Sequence, residues 1–107
     1  MKLFIPAERR AEAVEILTTL QGRLEISSEY LGSWIQERDY PCSHIVYIEH
    51  WKSAEAIYSH IRSSLYRRIL TVIDFSSREP EVNFYFGSEP KGMELVKALR
   101  DEVQKQQ

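Results

Sequence analysis

Four apolar residues stand in a row at Ile45-Val46-Tyr47-Ile48, inside a stretch, His44–Trp51, rich in β-branched and aromatic side chains. Side chains alternate between the two faces of a strand, so a strand with one wet face alternates apolar and polar residues. This one does not, and both of its faces need a cover. Arg38-Asp39-Tyr40-Pro41-Cys42-Ser43 reads as a loop just before it. Tyr30–Glu37 precedes that loop and alternates weakly, with Leu31, Ser33 and Ile35 on one face and Gly32, Trp34 and Gln36 on the other. Two strands around a short loop form a hairpin.

The segments on either side supply helices. Lys2–Ile5 is a short apolar run that Pro6 stops, and it reads as a first strand. Pro6 suits the first turn of a helix, where its missing N–H costs nothing. From Ala7 to Gln21, Ala13, Ile16, Leu17 and Leu20 share one face, and Gly22 is the expected stop. Ser53 is a good N-cap for a helix to about Arg62, striped by Ala54, Ile57, Tyr58 and Ile61. Ser63-Ser64 interrupts that helix and re-caps a second one, Leu65 to about Phe75. Ser76–Pro80 is a loop, and Glu81–Phe86 alternates as a last strand with Val82, Phe84 and Phe86 on one side and Asn83 and Tyr85 on the other. Gly87–Gly92 reads as a further loop, Met93–Val103 as a terminal helix, and Gln104–Gln107 as a frayed end.

The order is β-α-β-β-α-β with an extra C-terminal helix, an α+β chain on the ferredoxin-like plan. That plan puts helices on one face of a single sheet. The apolar strand at Ile45–Trp51 then lacks a cover on its other face. A second copy of the sheet supplies one, so a symmetric homodimer packed sheet to sheet is expected. At 107 residues, the chain suits one domain. A chain so short buries only about two thirds of its unfolded surface, and dimerisation would help it.

Charge narrows the partners. The formal net charge is −2, and the basic residues scatter as Arg9-Arg10, Arg62 and Arg67-Arg68 among glutamates. A general nucleic-acid binder would carry a basic stripe, so nucleic acid is not expected as a partner. No apolar run approaches the ~18 residues that span a bilayer, and the first residues are too few before Pro6 for a signal peptide. Cys42 is the single cysteine, which leaves no internal disulfide and no zinc-type cluster. A reducing cytoplasm is the expected compartment.

Chemistry can be argued in one place, Ile45–Tyr66. The apolar strand ends in Glu49-His50-Trp51, and His60 lies one helix away. A Trp closing a buried strand and a His one helix away give an apolar, ring-lined place with one titratable group. These residues resemble a family. Ile48-Glu49-His50-Trp51-Lys52-Ser53, then Glu55-Ala56, His60 and Ser63-Ser64-Leu65-Tyr66, are similar to the antibiotic biosynthesis monooxygenase superfamily of dimeric α+β barrels. Its members commonly show an apolar strand ending in Glu-x-Trp, a helix opening with Ser-x-Glu-Ala, a His near the helix end and a Ser-rich link. The tail, Ser76–Val82 and Gly92–Val96, resembles a quinol monooxygenase branch.

The resemblance implies oxidation of a quinol or polycyclic phenol by molecular oxygen without a cofactor. The deprotonated substrate would supply the electron, and the protein would orient the ring, exclude water and hold the anion. Trp51 would line the pocket and His60 would be the base or hydrogen-bond partner of the phenol. Two departures stand out. Lys2–Ile5 is short and lacks the Asn carried there by the haem-degrading branch, which disfavours haem. Ser28-Glu29-Tyr30 stands where Pro-Gly is common.

Each residue also has a plainer reading. An imidazole with an ordinary pKa of ~6.5 suits proton transfer, yet His60 also reads as a boundary residue bonded to a hydroxyl. His50 reads as an exposed or interface residue. His44 has no identifiable partner. Glu49, a carboxylate on an otherwise apolar strand, needs a partner if buried, with His60, Arg62 and Arg67 as candidates. Trp34, Tyr47, Phe84, Tyr85 and Phe86 line an aromatic pocket or fill the core and dimer contacts. Asn83 requires hydrogen bonds if buried. Tyr66 faces the pocket mouth. Cys42, with no evident base or cation beside it, is a spectator. The substrate-binding set is therefore Glu49, Tyr47, Trp34, Tyr66 and Asn83, around His60 and Trp51 as the catalytic pair. The rival functions are a non-catalytic binder of an aromatic ligand and a haem protein with His60 as axial ligand.

Overall fold

The computed structural model describes residues 1–85 and 90–105. The expected place of Phe86 on the last strand, the loop segment 87–89 and the last two residues of the expected frayed end lie outside the described residues. The elements are β1 (Lys2–Leu3), a 3-10 turn at Ala7–Arg9 leading into α1 (Arg10–Leu24), β2 (Tyr30–Arg38), β3 (His44–Trp51), α2 (Ala54–Arg62), α3 (Tyr66–Asp74), β4 (Phe84–Tyr85), β5 (Pro90–Lys91) and α4 (Met93–Lys105). The architecture is α+β, with a three-stranded antiparallel sheet in the order β1-β3-β2 and four α-helices among the described residues.

The hairpin forms as expected, with Ser33 opposite Glu49 and Ile35 opposite Tyr47. Its register shifts between Tyr30 and Gly32, where a bulge carries Leu31 out of the ladder. Leu31 therefore does not share the face of Ser33 and Ile35 and is exposed. Gly32 makes the bulge possible, since its φ of +147° is a backbone state that L side chains rarely adopt.

β1 is shorter than Lys2–Ile5 because its continuation bonds to a loop. Phe4 N–H donates to Ser76 Oγ at 3.0 Å, and Ser77 N–H donates to the Phe4 carbonyl at 2.9 Å. Lys2 and Glu81 exchange both backbone bonds, antiparallel, so residues 76–81 run along the edge of β1 opposite β3. The expected strand Glu81–Phe86 is split. Glu81 pairs with β1, whereas Phe84–Tyr85 pairs with Pro90–Lys91, which places a strand inside the expected loop 87–92.

Gly22 does not stop α1; it sits within the helix, which runs on to bury Leu24 beside Ala13, Leu17 and Leu20. Burying Leu24 offsets the ~1 kcal/mol cost of a helical glycine. Ser53 does cap α2, its Oγ accepting from Ala56 N–H at 3.1 Å. Ser63-Ser64 separates α2 from α3 but does not cap α3 by side chain, since Ser63 Oγ donates instead to the His60 carbonyl at 2.6 Å. The core joins Leu3, Ile45 and Tyr47 of the sheet, and Ile5 just past β1, to Leu17 and Leu20 of α1, Ile69 and Val72 of α3, and Val96 and Leu99 of α4. Arg100 fastens α4 to the end of α2, donating to the Ile61 and Ser63 carbonyls at 3.1 and 2.9 Å. The terminal helix thus packs on its own chain.

Candidate functional site

The site arises where β1 gives out beside β3. Tyr47 N–H donates to the Met1 carbonyl at 2.9 Å and Met1 N donates back to Tyr47 at 3.0 Å. Past that pair, along Ile48–Trp51, no strand lies on that side of β3 among the described residues. α2, α3 and Val82–Tyr85 surround the gap and leave a cavity of about 640 Å³. That volume is in the range of small-molecule sites, and its wall is mainly apolar, as such sites are.

Glu49 is the polar centre of the wall. Period-two alternation puts Tyr47, Glu49 and Trp51 on the helix-facing side of β3, so the carboxylate lies between two donors on its own strand. Tyr47 Oη donates to Oε2 at 2.5 Å, and Trp51 Nε1 donates to Oε1 at 3.1 Å. His60 Nε2 stands 2.8 Å from the same Oε1. The His60 and Glu49 side chains are 4% and 13% exposed, so this is an interior pair. Burial pushes the Glu49 carboxyl up, but the contact with His60 and the bonds from Tyr47 and Trp51 outweigh it, and the net shift is below the ordinary carboxylate value. Tyr47 moves the other way, its phenol pushed well above 10.0 by burial first and then by the Glu49 charge.

His60 is aimed by the end of its helix. Its carbonyl accepts from Ser63 N–H and Ser63 Oγ, and Arg100 holds the next turn. Trp51 lies against the imidazole, centroids 4.6 Å apart at 30°, and Tyr66 meets it at 5.1 Å in a T. Tyr30 packs edge-on against Trp51 at 5.4 Å and bonds through its hydroxyl to Ser33, opposite Glu49 on β2. An imidazole held against a carboxylate in an apolar, ring-walled cavity can take a proton from an acidic hydroxyl and keep the resulting charge out of water.

Tyr66 differs from its neighbours. It is 2% exposed, and its hydroxyl is fully buried with no hydrogen-bond partner among the described residues. Leaving a buried hydroxyl unpaired costs about 1–3 kcal/mol. Burial first, and the Glu49 charge second, push this phenol above its usual value, so it stays a donor.

Of the residues singled out in the sequence, the cavity brings together Tyr47, Glu49, His50, Trp51, His60, Tyr66, Phe84, Tyr85 and Asn83, the last with its side chain exposed at the rim. Trp34 is not among them. It pairs across the hairpin with Ile48, lies on the face of the sheet turned away from the helices, and meets His50 edge-on with centroids 4.7 Å apart. Of the expected partners for Glu49, His60 is the one that meets it, while Arg62 bonds Glu102 at 2.8 Å. His44 does have a partner: it is buried, with Nδ1 2.7 Å from the Cys42 carbonyl. Cys42 has a cation nearby after all, Arg78 donating toward its Sγ at 3.6 Å. The sequence reading passed over Ile57, Ile69 and Val82, which complete the apolar wall, and gave Ser33 no role. The register runs unbroken from Arg38 opposite His44 to Ser33 opposite Glu49, so fixing the loop end of the hairpin would have found it.

No group of three or more His, Cys, Asp or Glu side chains could hold a metal ion among the described residues. His60 does not fit an axial haem ligand, because Nε2 faces Glu49 and the ring lies against Trp51 and Tyr66. Set against known proteins, the chain matches no family model, no curated protein and no solved structure.

Proposed function

We propose that this protein is a cofactor-independent monooxygenase that oxidises a quinol or polycyclic phenol with molecular oxygen. The observation that carries the reading is the buried Glu49–His60 pair in the wall of an apolar cavity. The residues that resemble the antibiotic biosynthesis monooxygenases, Glu49, Trp51 and His60, all stand at that wall. In this reading His60 takes the hydroxyl proton of the bound ring, and Glu49 orients the imidazole and stabilises its charge. The phenolate passes one electron to oxygen, and the aryloxyl radical and superoxide couple at a ring carbon. Loss of that carbon's proton with cleavage of the O–O bond leaves one oxygen as a carbonyl. The other departs as water with the two protons released from the ring compound.

The ferredoxin-like plan and the dimer belong to the same proposal. Residue 81 beside β1 gives the spatial order expected of a fourth strand. The face of β3 turned from the helices exposes Ile48 and, across the hairpin, Trp34, at 38% and 48%. A second copy seated sheet to sheet would cover them. A cytoplasmic setting is supported by the lone Cys42, and no helix among the described residues is long and apolar enough to cross a membrane.

A non-catalytic aromatic binder would be favoured by a cavity with no titratable group in its wall. Glu49 and His60 weigh against it. The deciding experiment is aerobic oxygen uptake with hydroquinones and dihydroxynaphthalenes. Metal- and flavin-independent turnover that falls about 10²–10⁴-fold in His60→Gln is expected for a general base. Ligand binding without uptake would leave the protein a binder.

A further inference from the structure

The buried polar side chains of the cavity wall face one another, with one exception. Glu49 Oε1 faces Trp51 and His60, and Oε2 takes the Tyr47 hydroxyl. Arg100, the cation near Tyr66, spends Nη1 on two backbone carbonyls. Tyr66 Oη, buried at the first residue of α3, has no partner among the described residues, and its side chain forms part of the cavity wall. Its ring is fully packed against His60, so the hydroxyl is not required to fill space. Phenylalanine would pack the same volume without an unpaired hydroxyl. A buried donor kept unpaired in the wall of a cavity finds its partner in whatever occupies that cavity.

We propose that Tyr66 is a second polar anchor of the site, donating a hydrogen bond to an acceptor oxygen on the ligand, so that the cavity selects ring compounds carrying both a hydroxyl and a carbonyl-type oxygen. This rests on reading the cavity as a site for a hydroxylated ring. The hydroxyl of the ligand meets the Glu49–His60 pair, and the second oxygen meets Tyr66. In a quinol oxidation, the oxygen at Tyr66 is an acceptor before and after reaction, because a donor hydroxyl accepts as readily as a carbonyl does.

The test is calorimetric binding of matched probes to the full chain. 6- and 7-Hydroxy-1-tetralone carry a phenol and a ketone, and 5,6,7,8-tetrahydro-2-naphthol is the same frame without the ketone. Wild type is expected to bind at least one ketone about tenfold more tightly than the ketone-free phenol, the weight of one hydrogen bond. Tyr66→Phe is expected to lose that preference, bind the ketone-free phenol unchanged, and melt no lower than wild type. A preference that survives in Tyr66→Phe, or equal binding of the probes to wild type, would overturn the anchor and leave the phenol site standing. A clear drop in the melting temperature of free Tyr66→Phe would overturn it too, by showing the hydroxyl paired without ligand. If no probe binds wild type, the reading of the cavity as a phenol site fails, and the anchor with it.

Discussion

The two faces of β3 carry the same kind of residue to different ends. Toward the helices, Tyr47, Glu49 and Trp51 form a closed polar network roofed by His60. Away from them, Val46, Ile48 and His50 join Trp34 in an open, largely apolar surface. The strand sequence is nearly continuous in hydrophobicity, so the difference does not lie in the residues alone. A buried carboxylate survives on the inner face because two strand neighbours and one helix residue donate to it or pair with it. The outer face has no such requirement and waits for a cover. Mutations should therefore act through folding on one face and through association on the other.

The largest expected effect on folding comes from His60→Ala. It leaves the Glu49 carboxylate buried without its imidazole partner, and removing a partner from a buried charged group costs about 3 kcal/mol. Urea unfolding measures this, and a loss under ~1 kcal/mol would mean that Tyr47 and Trp51 alone satisfy the carboxylate.

Next comes pH. The native Glu49 carboxyl lies below its ordinary value of about 4.5, so the unfolded chain binds that proton more readily. The stability it contributes is complete above pH 4.5 and is lost as pH falls through the lower native value. Tyr47 and Tyr66 have the opposite sense. Their native phenols lie above 10.0, so the stability they contribute is complete below pH 10 and drains as pH rises beyond it. A titration of tyrosinate absorbance should show these two groups ionising only with unfolding. Early ionisation of all six tyrosines would break the picture of a sealed inner face.

Ser53→Ala acts on the inner face at one remove, by loosening the cap of the helix that delivers His60. It should cost about 1 kcal/mol in thermal or urea unfolding. Ile48→Glu should change folding stability least, within ~0.5 kcal/mol for an exposed site. On the proposed dimer it should halve the mass seen by light scattering. An unchanged mass would remove the outer face from the interface.

Much of the fold was legible. The hairpin, the Ser53 cap and the break at Ser63-Ser64 all carry local signals, and the structure has them at those residues. What local signals misjudged was settled by distant partners. Gly22 was a stop by propensity, but Leu24 beyond it is buried, and tertiary packing overrode the glycine. β1 looked longer because its apolar run is longer, yet Phe4 spends its bonds on Ser76 and Ser77. The Glu49–His60 pairing was one of three open choices in the sequence, since spacing alone does not say which cation lies across from a strand. Trp34 was grouped with the pocket aromatics because its residue type fits there, whereas its position in the alternation puts it on the opposite face from Glu49.

The sequence by itself determined the order of elements from β1 to α3 and which residues of β3 share a face, because propensity, capping and period-two alternation are local properties of the chain. It also marked Glu49 as a residue in need of a partner. Only the tertiary structure decided that the partner is His60, that β1 ends short enough to open a cavity beside Ile48–Trp51, and that Tyr66 lines that cavity with its hydroxyl unpaired among the described residues. Those are relations between segments far apart in the chain, set by how α2 and α3 pack over the sheet, and no window of sequence contains both sides of such a contact.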